Sequence, residues 1–118
     1  MFSPDSATEV YLALGSTDMR KSINGLSVLV ENNMDLDPFS GHLFVFCNRR
    51  RTILKVLYWD RNGFCLWHKR LEKHRFRWPN SEVEVLKIGQ KELMWLIDGL
   101  EIEQREAHGR LSLSLIHI

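Results

Sequence analysis

Ten lysines and arginines fall between Asn48 and Pro79: Arg49, Arg50, Arg51, Lys55, Arg61, Lys69, Arg70, Lys73, Arg75 and Arg77. Only Asp60 and Glu72 oppose them, which leaves a local charge of +8 in a chain whose net charge is +1. Tyr58, Trp59, Phe64, Trp67, Phe76 and Trp78 are interleaved with these cations. Clustered positive charge neutralises phosphates and releases their counterions, and aromatic faces can stack on bases. The chemistry this suggests is nucleic-acid binding. Arg49, Arg50, Arg51, Lys69, Arg70, Lys73, Arg75 and Arg77 are the candidate contacts, with the three at 49–51 the most accessible.

Strand alternation divides that stretch. If 64–71 is a strand, Trp67, Lys69 and Leu71 share one side, while Leu66, His68 and Arg70 share the other. Several aromatics are therefore needed for a core, and the cations are what remains for a ligand. The expected surface contacts phosphates rather than stacking bases.

Other chemistries have weaker support. Asp18, Asp37, Asp60 and Glu72 are the candidates for a carboxylate pair holding nuclease metals. Asp18 also has a local role at a helix start, Asp37 before a proline and Asp60 in a hairpin turn. Cys65 and His68, with Cys47, His42 or His74, would be the zinc alternative. Residues three apart on a strand point to opposite faces, however, and there is no paired Cys-x-x-Cys. Phosphate-cradling glycine loops and nucleophile elbows are absent. Neither an enzyme, a metal nor a cofactor is expected.

The elements that must position the cations follow from periodicity. At 118 residues, with 44% hydrophobic and 26% charged residues, the chain fits one globular domain. We place that domain at 1–110 and an apolar tail at 111–118. Val10–Leu14 reads as a strand ended by Gly15. Thr17 or Asp18 then caps a helix from about Asp18 to Glu31, with Arg20 and Lys21 on its wet face. A bound phosphate there would face repulsion from Asp18. Leu43–Cys47 is continuously apolar, as in a strand buried on both faces, and Asn48–Arg51 is a cationic turn. Ile53–Trp59 and Phe64–Leu71 form a hairpin through Asp60–Gly63, whose Asn-Gly pair tolerates positive φ. Arg75–Trp78 is a further strand stopped by Pro79. Val83–Ile88 is another, with Glu82 and Glu84 outward, before a short helix carrying Leu93, Leu96, Ile97 and Leu100 with Gly99 near its end. The fold class expected is α+β: a mostly antiparallel meander of about five strands with a helix in the N-terminal half and a short C-terminal helix.

Several strings are recognisable in order: Thr17-Asp18-Met19-Arg20-Lys21, Asn24-Gly25-Leu26, and Asp37-Pro38-Phe39-Ser40-Gly41-His42 running into Leu43–Phe46. Trp59-Asp60 with Gly63, Lys69-Arg70-Leu71-Glu72, and Arg75-Phe76 with Trp78-Pro79 follow. Together they resemble the small accessory proteins, often called TnpB, of the IS66 group of bacterial insertion sequences. The resemblance spans roughly Val10 to Leu100. It implies a role in DNA transposition beside a larger transposase that performs the strand chemistry, and it carries over no catalytic residue.

The functional expectation is a non-catalytic accessory protein that binds the DNA backbone. The alternative is a protein-interaction adaptor for the transposase without direct DNA binding. The N-terminus lacks a basic region followed by an apolar stretch, so a cytoplasmic location is expected. Cys47 and Cys65 then read as reduced core thiols, with a disulfide across neighbouring strands as the other option. Leu and Ser alternate over Leu111–Leu115. The tail is either a strand added to a sheet edge, of its own chain or of a second copy in a homodimer, or a segment without function.

Overall fold

The computed structural model describes residues 5–99. Five strands and two helices follow one another: β1 (Val10–Ala13), α1 (Ile23–Asn32), β2 (Leu43–Cys47), β3 (Ile53–Asp60), β4 (Gly63–Arg70), β5 (Val85–Ile88) and α2 (Gln90–Ile97). They make a single sheet in the order β4-β3-β2-β1-β5. The class is α+β as expected, but the sheet is mixed. β1 runs parallel to β2, with Val10 beside Leu43, and antiparallel to β5, with Val10 beside Ile88. Only β2, β3 and β4 form the expected antiparallel meander.

Side-chain alternation sends each strand's apolar residues to two cores. Leu12, Val45, Leu54 and Val56 face one side, where Leu93, Leu96 and Ile97 of α2 close over them. Phe44, Phe46 and Leu57 face the other, beneath Leu26 and Val30 of α1. Every residue of β2 is buried, as its unbroken apolar run predicts for a central strand covered on both faces. The sheet is thus the middle of three layers.

Three local expectations are corrected. The first helix begins at Ile23, with Ser22 at its N-cap, rather than near Asp18. The Asp18 carboxylate accepts the Arg20 backbone N–H at 2.9 Å and the Arg20 guanidinium at 2.6 Å, closing a tight turn instead of capping a helix. The Lys55 ammonium then donates to the carbonyls of Met19 and Lys21 at 2.9 and 3.2 Å, fastening that turn to β3. In the β3–β4 hairpin, Asp60 pairs with Gly63, and the positive φ of 55° falls on Arg61 rather than on the Asn-Gly pair. Pairing of Trp59 with Phe64 and Leu57 with Leu66 sets the register, and the turn accepts the strain. Arg75–Trp78 is not a strand. The helix over Leu93–Ile97 is present, and Gly99 follows it with φ 86°. Leu100 and the tail 111–118 lie outside the described residues.

β4 and β5 occupy opposite edges of the sheet, so residues 71–84 must travel from one edge to the other. They do so as an irregular strap along the end of the sheet where β2 and β4 terminate. The Leu71 N–H donates to the Thr52 carbonyl at 2.8 Å, and the Phe76 N–H to the Arg51 carbonyl at 2.7 Å. The indole Nε1–H of Trp78 donates to the Leu14 carbonyl at 3.0 Å, and the Leu14 N–H donates to the Glu84 carbonyl at 3.0 Å. Phe76, 2% exposed, plugs the strap into the α2-side core. An isolated strand of four residues would have left these backbone groups unpaired against the edge.

Candidate nucleic-acid interface

The cationic end is built around Asn48. Its Oδ1 accepts the backbone N–H groups of Thr52 at 2.8 Å and Ile53 at 3.0 Å, and its Nδ2 donates to Thr52 Oγ1 at 3.1 Å. The side chain therefore substitutes for the backbone partners that a four-residue turn lacks, and it holds Arg49 and Arg50 outward, both exposed. Arg51 differs. It sits at φ 62° with its Nη1 donating to the Asn48 carbonyl at 3.2 Å. Its guanidinium lies 5.7 Å from the centre of the Trp78 ring, a cation–π arrangement that clamps turn to strap.

The strap brings further cations to the same end. Lys73, Arg75 and Arg77 are exposed along it, separated by the buried Phe76 and half-buried Trp78. Arg70 is exposed where β4 ends and pairs with Glu72 at 3.1 Å. Lys69 points to the α2 side, where its ammonium donates to the Ile97 carbonyl at 3.0 Å and so satisfies the helix C-terminus. Of the eight candidate residues, Arg49, Arg50, Arg70, Lys73, Arg75 and Arg77 are exposed at this end, whereas Arg51 and Lys69 are half-buried in intramolecular contacts. Tyr58, Trp67 and Trp78 pack against the α2-side core, and Phe64 against the α1-side core. Base stacking on these rings would require them to leave their cores.

Two further cations were weighed in the sequence reading and set aside. Placing Arg20 and Lys21 on a helix face concealed that their loop is tied to this end by the Lys55 ammonium and by the Thr17 N–H, which donates to the Cys47 carbonyl at 2.9 Å. No sequence signal marked this, because both anchors are distant in the chain. The Arg20 guanidinium holds the Asp18 carboxyl well below the usual carboxylate range, so that charge persists in acid. Asn48 and Trp78, the two residues that shape the site, were also not singled out as scaffolding.

The other candidate chemistries are dispersed. Asp18 is paired with Arg20 and Glu72 with Arg70, while the Asp37 carboxylate accepts the Phe39 N–H at 2.9 Å and Asp60 lies at the opposite hairpin. No group of three or more His, Cys, Asp or Glu able to hold a metal is assembled among the described residues. Cys47 and Cys65 are not disulfide-bonded; they lie on β2 and β4 with β3 between them. Two strand spacings are roughly 10 Å, beyond the reach of a disulfide. Burial pushes the Cys47 thiol up from 9.0 to about 11. No helix among the described residues is long and apolar enough to cross a membrane.

Comparison with known proteins covers most of the chain. The model of the family described as IS66 Orf2 like protein matches residues 8–107. The uncharacterized protein y4hO of Sinorhizobium fredii (strain NBRC 101917 / NGR234) is 39% identical over 92 residues, covering 78% of this chain and 80% of that protein. The uncharacterized protein y4jC of the same strain is 33% identical over 101 residues, covering 86% of each. No solved structure matches the chain.

Proposed function

The chain belongs to the IS66 Orf2-like protein family, and on that premise we propose that it is a non-catalytic accessory protein of DNA transposition that binds the DNA backbone through the cationic end of its sheet. The observation that carries this reading is the strap. Hydrogen bonds from Leu71 to Thr52 and from Phe76 to Arg51 bring cations separated by more than twenty residues onto one surface. Arg49, Arg50, Arg70, Lys73, Arg75 and Arg77 neutralise phosphates there. Arg51 and Lys69 support them from within. Contacts to phosphate confer orientation and little sequence preference.

A duplex titration at two salt concentrations tests the proposal. With six phosphates neutralised, affinity falls about 1,800-fold between 50 and 200 mM salt. Absence of binding at low salt would end it. An element-end duplex held with magnesium or manganese is expected to stay uncut, and cleavage would remove the word non-catalytic.

A second reading, an adaptor for the transposase without direct DNA binding, is favoured by one observation: Phe39 is 55% exposed at the end of the sheet remote from the cations. Phe39→Ser separates the two. Loss of transposase pull-down with DNA binding untouched would favour the adaptor.

A further inference from the structure

At the end of the sheet opposite the strap, the exposed Phe39 meets two half-buried aromatic rings. Trp59 and Phe64 are a cross-strand pair beside the β3–β4 hairpin, with ring centres 5.0 Å apart. Phe39 reaches them from the loop before β2, at 5.1 Å from Trp59 and 5.2 Å from Phe64. Despite both contacts Phe39 remains 55% exposed, the most exposed large apolar side chain among the described residues. Exposure of an aromatic cluster wastes hydrophobic stabilisation unless something covers it.

The rim is acidic. Asp35 and Asp37 are exposed on the loop that carries Phe39, and Asp60 is exposed next to Trp59. None of the three forms an ion pair among the described residues. The only Lys or Arg in the segments 33–42 and 59–64 is Arg61. The carboxylates at the strap end that accompany Arg20 and Arg70, by contrast, are paired. The strings that carry the family resemblance at Asp37–His42 and Trp59–Gly63 converge here, and phosphate binding at the other end makes no use of them.

We infer that the Phe39–Trp59–Phe64 cluster docks a cationic peptide segment of a protein partner, with an apolar anchor on the rings and Lys or Arg side chains over Asp37 and Asp60. Complementary charge selects this occupant, because an acidic segment or a phosphate backbone would be repelled by the three carboxylates. Aromatic faces add attraction for the cations themselves. The site lies beyond the DNA-binding reading and does not depend on it.

Two dodecapeptides test the inference by amide and indole NMR shifts on the full chain: one alternates Lys with Leu and Phe, and the other has Glu in place of Lys. The Lys peptide is expected to shift residues 35–41, 59–64 and the Trp59 indole, and to bind at least tenfold more tightly than the Glu peptide. Phe39→Ser should weaken that binding at least tenfold. The double variant Asp37→Asn/Asp60→Asn, which keeps the oxygen accepting the Phe39 N–H, should do likewise. Both variants should bind duplex DNA as the parent does, so failure of either surface is read separately. Equal binding of the two peptides, shifts elsewhere, or full retention by Phe39→Ser would overturn the inference. Concentration-dependent shifts of the same residues without peptide would assign the patch to a second copy of the chain and overturn it too.

Discussion

The two ends of the sheet are built by different means. The hairpin end is local: Trp59 and Phe64 face each other across a two-residue turn, and one loop supplies Phe39. Phe39 stays exposed over the half-buried Trp59 and Phe64, and the acids form no ion pair among the described residues. The strap end is assembled from distant parts, namely the turn after β2, the loop before α1 and residues 71–84. Its aromatics are spent on anchoring and its surface is left to cations. The difference shows how a chain of nearly neutral net charge can hold two electrostatically opposed surfaces. Antiparallel pairing sends successive turns to opposite ends, and the sequence charges those turns unequally.

Removing the anchor is the most severe way to break this contrast. Trp78→Ala loses the hydrogen bond to Leu14, the cation–π contact with Arg51 and part of the α2-side core. It should cost about 3 kcal/mol by urea unfolding. Amide shifts should concentrate at 48–52 and 71–84, leaving the Phe39 cluster unchanged. Spread to the hairpin end would show that the ends are coupled. Asn48→Ala strands two backbone donors and should cost about 2 kcal/mol, with duplex affinity falling because the arginine turn loses its shape. Normal affinity in that variant would mean the turn needs no template.

Arg49→Ala/Arg50→Ala sharpens the comparison without unfolding anything. Stability should stay within about 0.5 kcal/mol, while the salt slope of duplex binding should drop by about 2. An unchanged slope would place the phosphates elsewhere on the molecule. The smallest effect concerns the thiols. Cys47 is buried and its thiol is pushed up to about 11, whereas Cys65 is half-buried. Mild alkylation at pH 8 should therefore modify Cys65 first. Raising the folded value above the unfolded one means that Cys47 adds stability fully below pH 9, and this contribution fades as pH rises toward 11. Unfolding midpoints measured across that window should fall, and Cys47→Ala should flatten this fall.

Much of the secondary structure was legible locally. Leu43–Cys47 announced a strand buried on both faces by having no polar residue, and Leu93, Leu96 and Ile97 marked a helix by their spacing. The alternation of Trp67, Lys69 and Leu71 correctly put the three on one side of the sheet, the side that faces α2. The misreadings arose where a local signal met a distant partner. Thr17-Asp18 offers good capping chemistry, yet Asp18 is taken by Arg20, and Lys55, more than thirty residues away, binds the carbonyls that follow. Arg75–Trp78 alternates like a strand, but the Phe76 N–H bonds the β2–β3 turn, the Phe76 ring enters the α2-side core, and the Trp78 indole bonds the Leu14 carbonyl just after β1. The eight candidate cations were found by composition alone. Sorting exposed ones from Arg51 and Lys69 needed the positions of Trp78 and the end of α2.

By itself the amino-acid sequence determined the charge imbalance, the strands and helices with strong periodicity, and the family, because each depends on residues close together or on order along the chain. Tertiary structure alone decided that β1 inserts beside β2, that β5 lies at the far edge from β4, and that the connection between those edges becomes a strap. Those are pairings between distant segments, whose free energy comes from shared burial rather than from local preference. The cations became one surface, and the Phe39 cluster another, only once those pairings were made.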